Sequence, residues 1–258
     1  MIKLENTEVM GWKAAIRGMR NPMNSWDKSD SGWDASTFHF DKDYIVVMSE
    51  HFSYSDYELG PNDKNLMKRL RNAGTDHRKF MRMITVYVDI TAPLYWWKEF
   101  DTYKVGTVAN SCSTMHKIAD KEFTLDDFSC EHLFDDDDMI PSDQRDENSI
   151  NEDVALSAVN VDGDTCYFSP KMFIQMTCNI LNCYRNRFLE TKDKKYWWQM
   201  IQLLPSSYNQ RRTVMLNYEV LANMYKSRKN HKLDEWHTFC GWIKSLPYSQ
   251  LITGEFDI

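Results

Sequence analysis

The sequence predicts an α/β protein of the α+β kind, a central sheet packed with helices. Two observations carry this. Ile84-Thr-Val-Tyr-Val-Asp-Ile90 alternates with a period of two and is β-branched, the pattern of a half-buried strand. From Ser169 onward, four segments instead repeat their apolar residues at helical spacing. With 42% hydrophobic and 14% aromatic residues in 258, the chain can build a real core.

In order, Asn6 to Gly11 reads as a short strand, and a helix follows from Trp12 to Met19, ended by Asn21-Pro22. Residues 24 to 43, rich in Ser, Asp, Trp and Gly, read as a loop, and Tyr44 to Met48 as a short strand. Asp63 to Asn72 carries Leu66, Met67 and Leu70 at helical spacing, with Gly74 as its stop. After the strong strand a helix opens at Pro93, where the missing N–H costs nothing. Residues 121 to 153 are acidic and lack apolar periodicity, so they read as a loop. Asp162-Gly163 between strand-like flanks signals a hairpin. Ser169-Pro170 starts a long helix to Glu190, with Met172, Phe173, Met176, Ile180, Cys183, Tyr184 and Phe188 as its apolar stripe. Helices follow at Lys195 to Leu204, Arg212 to Lys229 and Leu233 to Leu246. The whole is read as one domain, 1–258, enlarged by an acidic insertion at about 130–168.

Composition excludes several classes. Net charge is −7, much of it between Asp126 and Asp153, so nucleic acid is disfavoured as a partner. There is no apolar run of membrane-spanning length and no signal-peptide layout, so the expected location is cytoplasmic. The six cysteines are scattered with no C-x-x-C, as expected of reduced thiols. Neither Cys130-Glu131-His132 nor His231 with His237 forms a full metal-ligand set, and Asn160, Asp162 and Asp164 fail the calcium-loop spacing. No metal is expected. Nucleophile-elbow, Walker, dinucleotide-fingerprint and zincin motifs are absent.

Two stretches stand out. Thr91 to His116 packs Trp96, Trp97, Lys98, Glu99, Tyr103, Lys104, Asn110, Ser111, Ser113 and His116 into 26 residues, a density that points to a bound molecule. The tryptophans read equally as a stacking platform or as core. In the second stretch, Asn217, Leu221, Met224 and Arg228 fall on one helical stripe, placing an amide and a guanidinium on an otherwise apolar face. A bound polar ligand and a structural pairing explain that stripe equally well.

Together the stretches resemble the flavin-dependent thymidylate synthases. That family's signature runs Arg-His-Arg, then Asn-Glu, one residue, Ser, one residue, Arg-Tyr. The matching residues here are Thr102-Tyr103-Lys104, Asn110-Ser111, Ser113 and Met115-His116, so the Asn and Ser persist and the rest is replaced. The later pattern matches better: Leu204-Pro205, then Asn217, Asn223 and Arg228 at the family's spacing. Ile201 and Lys232, however, stand where the family has an arginine and a histidine, and His77-Arg-Lys-Phe-Met81 replaces its Thr-Pro-Phe-Glu.

The resemblance implies the family's fold, a homotetramer, FAD contacts at Asn217 and Asn223 if flavin is retained, and Arg228 toward a dUMP-like base. In place of the lost groups stand Lys98, Tyr103, Lys104, His116, Arg211 and Arg212 as cationic or hydrogen-bonding residues, and the expected nucleotide contacts are Lys98, Tyr103, Lys104, Asn110, Ser111, Ser113 and His116. Each missing charged hydrogen bond removes about 1.5–3 kcal/mol, so dUMP binding in the family mode falls by orders of magnitude. The leading expectation is therefore a nucleotide-binding protein without ordinary dUMP methylation, sequestering or sensing a nucleotide in a phage or mobile element. The alternative is a flavoenzyme transferring a one-carbon group to a pyrimidine deoxynucleotide. A third reading is a structural oligomer or inhibitor acting through Asp135 to Asp138.

Overall fold

The structure is a computed structural model that describes residues 2–33, 38–41, 44–47, 57–134, 158–161, 164–167 and 169–256. In chain order it contains β1 (Lys3–Met10), α1 (Trp12–Arg20), β2 (Gly32–Trp33), β3 (Phe38–Asp41), β4 (Tyr44–Val47), β5 (Tyr57–Glu58) and α2 (Pro61–Asn72). There follow β6 (Thr85–Pro93), α3 (Leu94–Phe100), β7 (Val108–Ser111), α4 (Thr114–Lys117), β8 (Ala158–Val161), β9 (Asp164–Tyr167) and α5 (Pro170–Thr191). The chain closes with α6 (Lys194–Leu203), β10 (Asn209–Asn217), α7 (Tyr218–Arg228), α8 (Asp234–Ser245) and α9 (Gln250–Thr253). The acidic block at Asp135 to Asp138 and the Asp162-Gly163 pair lie outside the described residues, and β8 and β9 pair antiparallel.

The chain divides into two compact units. The larger comprises Ile2–Thr91, Lys98–Ser111 and Arg211–Ile258, and it holds most of a four-stranded sheet in the order β1-β6-β10-β7. β1 runs antiparallel to β6, and β10 antiparallel to β7. On β6 the predicted alternation is realised: Val86, Val88 and Ile90 are buried, while Tyr87, Asp89 and Thr91 are half-buried on the other face. α1 contributes Trp12, Ala15, Ile16 and Met19 to the core, α7 contributes Tyr218, Leu221, Met224 and Tyr225, and α8 contributes Trp236, Phe239 and Ile243. The entry to α1 needs glycine, because Gly11 has φ +98° and a Cβ there would sit 2.0 Å from the Met83 carbonyl oxygen. Arg20 and Asp63, both buried, form an ion pair at 2.7 Å that the hydroxyls of Ser29 and Ser31 also join, tying the chain after α1 to α2.

The smaller unit comprises Met1, Ala92–Trp97 and Cys112–Gln210. Its core is Ile118, Phe123, Phe128, Ile174, Cys178, Leu181 and Met200. Asn182 clasps the Phe123 backbone on both sides, accepting from its N–H at 2.8 Å and donating to its carbonyl at 2.9 Å.

Several expectations are corrected. Residues 209–217 form a strand, not the start of a helix: Val214 and Leu216 are buried in alternation, and the helix begins only after Asn217. Pro93 ends β6, and α3 begins at Leu94. The region read as a loop at 24–43 holds β2 and β3, the latter paired with β4. On α5 the buried row is Ile174, Cys178 and Leu181, while Met172, Phe173, Met176 and Ile180 of the predicted stripe are exposed. Those four lie on the side of α5 away from Ile174, Cys178 and Leu181, whereas Tyr184 and Phe188, the C-terminal part of the predicted stripe, do pack against the core, so both sides of the helix are apolar and only part of the stripe is buried.

Candidate functional site

α7 organises the candidate site in the larger unit. Asn217 is the last residue of β10 and, with extended backbone, the N-cap of α7: its side-chain oxygen accepts from the Val220 N–H at 3.0 Å. Its amide nitrogen reaches the Gly106 carbonyl at 3.5 Å, and Gly106, at φ +81°, lies so close that a Cβ would come within 2.9 Å of Asn217 and Val220. The polar tail of the first stretch thus meets the start of α7. Asn217 belongs to a cap rather than to a helical stripe, because β10 extends through it.

Two residues on, in the first turn, buried Glu219 pairs with both Arg78 and Arg82, Arg78 at 3.3 Å and Arg82 closer. Burial pushes the Glu219 carboxyl up, but the hydrogen bonds from Arg82 and Arg78 outweigh it and hold the group below the ordinary carboxylate range. Asn223, four residues on, accepts from the Arg78 guanidinium at 3.1 Å. Two cations therefore flank one carboxylate beside an exposed amide, leaving positive charge for an anion.

Arg228 lies roughly 180° around α7 from Glu219. Its Nη1 is 2.5 Å from Glu99 Oε2 and its Nε donates to the Tyr103 hydroxyl at 3.0 Å. The guanidinium stacks over the Trp236 ring at 4.7 Å, and the same Glu99 oxygen accepts from Trp236 Nε1 at 3.0 Å and lies 3.2 Å from His231 Nε2. Arg228 and Tyr103, expected as ligand contacts, are thus brought together, and Glu99 joins them.

The other expected residues are more dispersed. Lys98 and Lys104 are exposed in the larger unit. Asn110 and Ser111 are exposed on β7, an edge strand, opposite Thr213 and Arg212 of β10. Ser113 and His116 belong to the smaller unit, where the Ser113 hydroxyl caps α4 by accepting from the His116 N–H at 3.1 Å. Trp96 and Trp97 are buried at 0% and 1% exposure, with Trp97 Nε1 donating to the Gln210 carbonyl at 2.9 Å, so they are core and not a stacking platform. Arg211 and Arg212 are paired with Asp89 and Asp101, each at 2.7 Å.

Sequence reasoning counted Glu99 in the polar stretch without giving it a role, and it missed Arg78, Arg82 and Glu219 as site residues. The signal for the arginines was present, since Arg78 and Arg82 fall four apart, one within and one just after the segment that replaces a family motif. Against FAD, whose diphosphate requires cations and donors, Arg78, Arg82 and the Asn223 amide fit. The Asn217 side chain is shared with the helix cap and with Gly106. Among the described residues no group of three His, Cys, Asp or Glu is placed to hold a metal ion.

No protein-family model and no curated protein matches the sequence. Solved structures do. Thymidylate synthase X (ThyX) from Helicobacter pylori, crystallised with FAD and dUMP, aligns over 98% of each chain with a TM-score of 0.59 at 15% identity. A second structure of that flavin-dependent enzyme, also with FAD and dUMP, gives a TM-score of 0.56 at 15% identity over 98% of this chain and 100% of the other. The UMP/dUMP methylase PolB from Streptomyces cacaoi, bound with 5-Br UMP, gives 0.50 at 12% identity over 98% and 93%. At these identities and coverages the result concerns architecture: the chain has the fold of the flavin-dependent thymidylate synthases.

Proposed function

We propose that the protein binds a pyrimidine-class nucleotide on its flavin-dependent thymidylate synthase-like scaffold and does not carry out ordinary dUMP methylation. The observation that carries this is the clamp on Arg228. In the resembled family the matching arginine faces the pyrimidine base, whereas here its charge is shared with Glu99 at 2.5 Å and its flat face lies on Trp236. A guanidinium held this way has less to offer a uracil carbonyl, because a ligand must first compete with a carboxylate. The replacement of the family's arginines and histidine by Thr102, Tyr103 and Lys104 acts in the same direction. The molecules named in the fold neighbours, dUMP and 5-Br UMP, favour the pyrimidine class.

Such a protein sequesters or senses its nucleotide. Lys98, Lys104, Asn110, Ser111, Ser113 and His116 are the further contacts, completed in a cytoplasmic homotetramer of phage or mobile-element origin. The exposed apolar row of α5 supports assembly. Heating the purified protein and analysing the released small molecules by mass spectrometry tests the ligand class. A preparation that releases no nucleotide and binds none in a calorimetric panel of nucleoside monophosphates refutes it.

A second reading is favoured by Arg78, Arg82 and Asn223: a flavoenzyme acting on a pyrimidine deoxynucleotide. These residues would hold the cofactor's diphosphate, and flavin, when bound, supplies hydride chemistry. Arg78 and Arg82 then orient the cofactor and Glu219 fixes both arginines. A colourless protein that cannot be reconstituted with FAD eliminates this reading.

A further inference from the structure

We infer that the larger unit carries a second ligand site, distinct from the α7 clusters, for a small aromatic phosphate of mononucleotide size: the cavity between α2, the end of α8 and residues 253–256. The cavity is about 560 Å³, within the range of small-molecule sites. Lys64 and Lys68, one turn apart on α2, and Lys244 on α8 line it, against one carboxylate among the described residues, Glu255. That carboxylate is itself engaged, accepting from the Tyr225 hydroxyl at 2.9 Å and lying 3.6 Å from Lys244. In a chain of net charge −7, three ammonium groups around one concavity concentrate positive potential where an anion relieves it.

The cations are also placed. Lys64 Nζ lies 5.3 Å from the Tyr248 ring centroid and Lys68 Nζ 4.9 Å from that of Phe256, so each ammonium is within cation–π reach of an aromatic wall. Aromatic faces beside lysines are the pairing that a flat anion uses, ring on ring and phosphate on ammonium.

Tyr248 is over-determined. Its backbone is left-handed at φ +52°, unusual for a bulky side chain, and its hydroxyl is held at both roles, accepting from the Leu59 N–H at 2.9 Å and donating to the Tyr57 carbonyl at 3.2 Å. Strain retained by surrounding contacts concentrates at ligand clamps. None of these residues contributes to the Arg228 or Glu219 clusters.

Calorimetry on the full chain tests this, with adenosine monophosphate as probe and ribose 5-phosphate as its ring-free counterpart. The expected result is a class of sites that binds the nucleotide more tightly than ribose 5-phosphate and survives Arg228→Ala. In Lys64→Glu/Lys68→Glu that class weakens roughly tenfold or more, the loss expected for charge-assisted contacts. Phe256→Ala, which leaves every charge in place, lowers nucleotide affinity without affecting ribose 5-phosphate, and it decides the matter alone should the double variant fail to fold. Nucleotide binding that is unchanged in both variants, equal binding of the two probes, or no binding overturns the proposal. Loss only in Arg228→Ala assigns binding to the α7 site and overturns it as well.

Discussion

Arg228 and Glu99 meet at 2.5 Å although they lie in different segments of the chain, and this pair holds the end of α7 against the end of α3 within the larger unit. Glu99 also accepts from Trp236, so one carboxylate organises the cation, the indole and the phenol of Tyr103 that contacts Arg228.

Replacing Glu99→Gln keeps the shape and removes the charge. Loss of the charged hydrogen bonds should lower stability by about 1–3 kcal/mol, while the released guanidinium should bind nucleoside monophosphates more tightly than wild type. Urea unfolding and calorimetry on the same preparation measure both. Weaker nucleotide binding by the variant would count against Arg228 as a ligand contact.

The buried pair Arg20 and Asp63 stabilises the larger unit through completeness. Asp63→Asn leaves the Arg20 charge buried without its carboxylate and should destabilise by about 3–5 kcal/mol, whereas removing Ser29 or Ser31 alone should lower stability far less. Chemical denaturation of the three variants separates these cases.

Acid should destabilise the protein through its lowered carboxylates, Asp63, Glu219 and Asp89 among them. Burial raises Asp63, but hydrogen bonds from Ser31, Ser29 and Arg20 bring it below its ordinary value; Glu219 is lowered against burial by Arg82 and Arg78. Asp89 is lowered by Thr213, Asn6 and Arg211. Because each folded value lies below the unfolded one, their stabilisation is complete above about pH 4–5 and is lost as pH falls through the folded values. Thermal midpoints should be level near neutrality and drop in acid, and Asp89→Asn should flatten that drop. A midpoint indifferent to acid would contradict these assignments.

The thiols should divide by burial. Burial pushes Cys240 up to about 11 and raises Cys178, whereas Cys112 and Cys183 are exposed. Iodoacetamide on the native protein, read by peptide mass spectrometry, should label Cys112 and Cys183 and spare Cys178 and Cys240 until denaturant is added.

On α5, Phe173→Glu with Met176→Glu places charge on the exposed apolar row. Sedimentation velocity should show a tetramer for wild type and smaller species for the variant, at unchanged helical content. A wild-type monomer would remove the proposed assembly.

Local pattern was enough wherever one face of an element is buried. The alternation in β6, the Ser169-Pro170 start of α5, the stop before Pro205 and the helix after Leu233 all appear as read, because cap chemistry and period are encoded in neighbouring residues. The matching Leu-Pro, Asn217, Asn223 and Arg228 spacing likewise carried the resemblance to the fold now observed.

Tertiary structure alone decided the rest, for a common physical reason: periodicity states that a side chain has an apolar or polar neighbour but not which one. α5 is apolar on both sides, and only packing selected Ile174, Cys178 and Leu181 for the core. Trp96 and Trp97 were equally suited to stacking or burial, and folding buried both. Residues 209–217 became a strand because β6 and β7 offered backbone partners on either side of β10, a cooperative gain that no local propensity contains. The carboxylate that meets Arg228 lies 129 residues away along the chain, and only folding could name it.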